Sequence, residues 1–76
     1  MVVRTQDESA IYDLEKLMSV YAITNKEGEN VVYALSYTGE LAYPLGEYKT
    51  LDRAKEIVGE IFALCHSSTL YEMPIV

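Results

Sequence analysis

The chain has 76 residues, half of them hydrophobic and 24% charged, with twelve Asp and Glu against six Lys and Arg for a net charge of −6. A chain of this length holds one core and buries roughly 60–65% of the surface its unfolded form exposes, so a single, thinly stable domain open to self-association is expected. Lys16, Lys26, Lys49, Arg53 and Lys55 are scattered among carboxylates, which argues against direct nucleic-acid binding, and no apolar run of about 18 residues offers a membrane span.

The start, "MVVRTQDESA", lacks the basic and apolar stretches of an export signal. One cysteine, Cys65, cannot form an internal disulfide, so a reducing, cytoplasmic setting is expected.

Near the start, "VVRT" (2–5) reads as a short strand and "QDES" (6–9) as a turn. The segment "AIYDLEKLM" (10–18) fits two patterns. Ile11, Leu14, Leu17, Met18 and Tyr21 stand at helical spacing, while "AIYDL" serves equally as the return strand of a hairpin with residues 2–5. Residues 19–24 ("SVYAIT") and 30–37 ("NVVYALSY") are rich in β-branched and aromatic side chains and read as strands around a polar, Gly-containing loop. In the second of these, Val31, Tyr33, Leu35 and Tyr37 share one face, and Val32, Ala34 and Ser36 the other. The larger set is expected to face the core. Thr38 and Gly39 offer a tight turn into a strand where Leu41, Tyr43 and Leu45 alternate with Glu40, Ala42 and Pro44. Pro44 cannot donate to a ladder and marks that strand as an edge, or as ending nearby.

The helix is the clearest element. Thr50 is a good N-cap and Asp52 places negative charge in the first turn. Leu51, Ala54, Ile57, Val58, Ile61, Phe62, Leu64 and Cys65 fill an apolar arc of roughly 160°, as in a helix laid flat on a sheet. Asp52, Arg53, Glu56, Gly59 and Glu60 form the opposite, solvated side. After the helix, "TLYEM" is strand-like, and the apolar "PIV" is expected to pack on the body or on a second copy, as in a homodimer.

No motif for catalysis or metal binding appears. Cys65 and His66 are adjacent, so on a helix their side chains point about 100° apart and cannot work as a pair. Two such residues do not make a zinc site, and no phosphate-cradling glycine motif is present. Catalytic, metal and cofactor sites are therefore expected to be none. Seven tyrosines are more than so small a core can bury with their hydroxyls satisfied. Tyr33, Tyr37, Tyr43 and Tyr71 are the candidates for an interaction surface, since tyrosine supplies stiff amphipathic contact area.

"LGEYKTLDRA" (45–54), "YEMP" (71–74) and an early "R-x-Q-D" at Arg4, Gln6 and Asp7 together resemble small uncharacterised proteins of Gram-positive bacteria and their phages. The resemblance covers most of the chain and implies a strand at 10–14 and a phage or mobile-element origin. It carries no activity with it.

The expected architecture is α+β: an antiparallel meander of about five strands (1–48) packed against one C-terminal helix (50–65), with a tail (66–76) that includes a possible strand. The expected function is that of a non-catalytic interaction or accessory protein with a protein partner. The alternative is an acidic inhibitor mimicking nucleic-acid charge, and more remotely a small enzyme using carboxylates and tyrosines.

Overall fold

A computed structural model describes residues 1–36, 38–64 and 69–76, with the backbone alone at 16–18. Among these the strands are β1 (Val2–Arg4), β2 (Ile11–Asp13), β3 (Leu17–Thr24), β4 (Asn30–Ser36), β5 (Ala42–Tyr48) and β6 (Leu70–Glu72), with one helix, α1 (Leu51–Leu64). The fold is α+β, with a meander under a helix. Its strands form two sheets of three: β3, β4 and β5 make an antiparallel meander, and β1 lies between antiparallel β2 and parallel β6. No helix among the described residues is long and apolar enough to cross a membrane.

The first hairpin shows why residues 11–13 leave the helical pattern. Thr5 N–H donates to the Ala10 carbonyl at 2.9 Å. Asp7 closes the loop between them, its Oδ1 accepting from the Thr5 hydroxyl at 2.8 Å and from both the amide and the hydroxyl of Ser9. Those bonds fix a turn that pairs Arg4 with Ile11, and the helical option is reduced to one 3-10 turn at Leu14–Lys16. In the second sheet Gly39 takes φ 77° in the turn joining β4 to β5, a left-handed conformation that glycine adopts without strain.

Thr50 caps α1 as its position predicts, its hydroxyl accepting the Arg53 N–H at 3.0 Å. Ala54, Ile57 and Ile61 are buried against Val32, Ala34, Leu45 and Tyr48, with Met1, Val3 and Met73 closing the same cluster. The floor under the helix is thus the small face of β4, contrary to the expectation from side-chain size. Val32 and Ala34 are wholly buried while Tyr33 and Leu35 are half-exposed on the reverse. Small side chains let the helix settle close to the sheet, and the tyrosine keeps its hydroxyl in reach of water on the open face.

Phe62, expected within the buried arc, is 78% exposed. It stands about 140° round the helix from Ile57, beyond the edge of the floor. Gly59 points to open space, with nothing within 4 Å of where a Cβ would sit. Gly59→Ala should therefore stabilise the protein by about 0.5–1 kcal/mol through helix propensity alone, read as a raised Tm.

β5 lies at the edge of its sheet, as Pro44 predicts, but the strand runs on to Tyr48. Its register slips against β4 between Val32 and Tyr33, so Leu45 is an extra residue. This bulge turns Leu45 into the core, where it is 1% exposed.

The two sheets meet along the outer edge of β5, and one side chain makes the seam. Gln6 donates its own N–H to the Leu45 carbonyl at 2.8 Å. Its side-chain amide then behaves like a further strand residue: Oε1 accepts the Glu47 N–H at 2.8 Å and Nε2 donates to the Glu47 carbonyl at 2.9 Å. Nε2 also reaches the carbonyls of Pro74 and Ile75. The buried Tyr48 hydroxyl donates to Pro74 O at 2.7 Å, and Arg53 donates to Val76 O. A Cβ on Gly46 would lie 2.7 Å from that anchored Tyr48 hydroxyl and 3.1 Å from Gln6 Cβ, so the seam closes only over a glycine. The tail therefore pairs within its own chain, with Met73 N–H donating to Arg4 O at 3.1 Å. The three sequence patterns "R-x-Q-D", "LGEYKTLDRA" and "YEMP" converge on this seam.

Candidate functional site

The turn at 5–10 and the reverse face of β4–β5 are separated by a groove of about 470 Å³. Tyr12 and Asp7 line it from the first sheet, and Tyr33, Pro44, Glu29 and Glu47 from the second. Its floor includes Val31, which is 5% exposed although it lies on the face away from the helix. Gln6, bonded to Glu47, ties the two walls of the groove together.

Two ring pairs stiffen the aromatic part. Tyr33 stacks on Tyr21 across the β3–β4 ladder with centroids 5.6 Å apart, and Tyr43 packs on Tyr12 at 5.1 Å and 36°. Such pairs hold rings in place at little entropic cost to a ligand.

The charged part is acidic. Register sets Val31 against Glu47, and the hairpin turn before β4 brings Glu29 beside that position. The nearby Glu29 carboxylate is the main cause that raises the Glu47 pKa above the ordinary glutamate value. Asp7 is held below the usual range by its bonds from Ser9 and then Thr5. A positive neighbour at this place would offset the Glu29 charge and favour the ionised form of Glu47. Among the described residues no three His, Cys, Asp or Glu side chains gather tightly enough to hold a metal ion.

Of the four tyrosines singled out from the sequence, Tyr33 lines the groove and Tyr43 lies beside it through its contact with Tyr12. Tyr71 stands in the other sheet, where its hydroxyl donates to Glu60 Oε1 at 2.6 Å. Burial, then that carboxylate, pushes its pKa up, while Tyr48 is pushed up to about 12, chiefly by burial. Tyr37 lies outside the described residues, as do Cys65 and His66. The residues that sequence reasoning passed over are Tyr12, Asp7, Glu29 and Glu47. The turn signal around Asp7 was readable, but nothing local announces that Glu29 and Glu47 become neighbours.

Comparison with known proteins finds no matching family model, no matching curated protein and no matching solved structure.

Proposed function

We propose that this chain is a non-catalytic interaction module whose groove receives a basic segment of another protein. The observation that carries the reading is the pairing of a stiff aromatic wall, Tyr12 and Tyr33, with three carboxylates, Asp7, Glu29 and Glu47, around one concavity. An arginine or lysine entering there lies against a ring face and neutralises the crowding between Glu29 and Glu47. The chain's net charge of −6 steers such a partner toward it and raises the on-rate at low salt. We place this role in the bacterial cytoplasm and, on the resemblance to small proteins of Gram-positive bacteria and their phages, propose a phage or mobile-element origin.

The sign of the pH dependence follows from Glu47. Its carboxylate is harder to ionise than usual, and a bound cation favours the ionised form, so affinity should rise as pH rises through its titration. A fluorescent arginine-rich hexapeptide, followed by anisotropy, serves as the probe. Tyr33→Ala should weaken binding at least tenfold and Glu47→Gln about fivefold, with the far-ultraviolet circular dichroism unchanged. Affinity unaltered in both variants would reject the groove.

A second reading, an inhibitor that mimics nucleic-acid charge, is favoured by the same carboxylates. It predicts binding lost as salt rises but indifferent to Tyr33→Ala, because a charge mimic needs no aromatic wall.

A further inference from the structure

The two edges of the β3–β4–β5 sheet are treated differently by the fold. On β5 the outward Leu45 carbonyl and Glu47 amide and carbonyl are all occupied by Gln6. On β3 nothing comparable is present among the described residues. Asn25 N–H donates to Glu29 O at 2.8 Å, which sets the phase of the ladder: Ile23, Tyr21 and Ser19 exchange bonds with β4, and the N–H and C=O groups of Val20, Ala22 and Thr24 point outward. No strand among the described residues pairs with that side. Residues 19–24 contain no charge or proline, two of the usual devices that blunt an exposed edge, and the one bulge of β3 lies before them, between Leu17 and Ser19.

An uncovered side chain stands on the same side of the molecule. Glu60 is bonded to Tyr71 and Arg53 to Val76 O, so that flank of α1 faces β6 and the tail. Phe62 lies about 200° round from Glu60 and so projects away from them. The sheet holding β6 adjoins the β5 edge through Gln6, so away from it means toward β3. Phe62 (78% exposed) and Ile23 (47% exposed) therefore flank the open edge, one from the helix layer and one from the reverse face of the sheet.

We propose that β3 is the edge through which two copies of this chain pair, antiparallel about Ala22, into a continuous six-stranded sheet. The chemistry of the edge calls for an extended strand, and β3 is complementary to itself. In this register the outward groups of Val20 meet those of Thr24 in the other copy, and Tyr21 stands opposite Ile23 twice, an aromatic–β-branched pair. The two-fold axis is perpendicular to the sheet, so both helices lie on one face with their Phe62 flanks turned toward each other. Like net charge opposes self-association in general, but least at this edge, where residues 19–24 carry no carboxylate. Two chains of net charge −6 approach best along a surface without carboxylates, whereas a basic partner is drawn to the acidic groove at the other end of the sheet.

The test is sedimentation equilibrium of the intact chain from about 1 to 500 µM, the span over which an interface of less than standard size dissociates. The wild type should pass from monomer to dimer, and added salt should not weaken the dimer, since it screens the repulsion between two chains of net charge −6. Ala22→Pro removes an outward N–H that β4 does not use, and Thr24→Lys places a charge at the edge. Both should stay monomeric throughout, as should Phe62→Glu, with circular dichroism unchanged. A wild type that stays monomeric at every concentration overturns the proposal, as does a dimer that survives in folded Ala22→Pro and Thr24→Lys.

Discussion

Replacing Ile57 with alanine is expected to cost about 3–4 kcal/mol. Ile57 is wholly buried between the helix and β4, among the largest side chains so enclosed. Removal of its outer carbons leaves a cavity that Val32 and Ala34, on a hydrogen-bonded sheet, cannot close, and such truncations cost about 2–5 kcal/mol. A domain of this size has roughly 4–11 kcal/mol in all, so the variant stands close to unfolding at body temperature. Urea denaturation followed by circular dichroism measures the loss. Phe62→Ala, five positions along the same apolar arc, is the contrast. At low protein concentration it should change stability by less than about 0.5 kcal/mol.

Gln6→Ala should cost about 2–3 kcal/mol, more than a half-buried polar residue usually commands. Its side chain alone makes the bonds to Glu47 N, Glu47 O, Pro74 O and Ile75 O. Each contributes about 0.5–1.5 kcal/mol net, reduced here by water reaching the freed groups. The expected Tm drop is about 10–20 °C for a domain this small. Gln6→Glu distinguishes hydrogen bonding from mere packing. It keeps the shape but sets a carboxylate against three carbonyl oxygens, so its folded pKa is raised and its ionisation opposes folding. The loss should thus be largest above the carboxylate range and shrink as the pH falls through it, whereas the loss in Gln6→Ala should not vary in this way.

The parts legible in the sequence are those set by local pattern. Thr50, the stripe Ala54, Ile57 and Ile61, the β-branched run of β3 and the alternation in β4 each carry their structure within a few residues. The expected strand at 10–14 is present over Ile11–Asp13, while Leu14 begins the 3-10 turn. The rest depends on contacts between distant segments. Whether Val32 and Ala34 or Tyr33 and Leu35 lie under the helix is decided by how close the helix can approach, and side-chain size points the wrong way. Gln6 reads as a turn residue, yet it bridges 41 positions to Glu47. The parallel partnership of β1 and β6 joins the two ends of the chain, which no periodicity foretells.

The candidate site divides in the same way. The excess of tyrosine points to aromatic contact, and Tyr33 lines the groove while Tyr43 reaches it only through its contact with Tyr12. The acidic rim was invisible because Glu29 and Glu47 meet only through the hairpin turn and the β4–β5 register. Tyr71 reads as surface but is drawn to Glu60 by a bond between strand and helix.

The groove is the centre of the functional account, and an amide-resolved NMR titration with the arginine-rich hexapeptide tests it most directly. Shift changes should concentrate at Asp7, Tyr12, Glu29, Tyr33 and Glu47 and fade as salt is raised. Changes confined to β6, α1 or the β3 edge, or none at millimolar peptide, would contradict it.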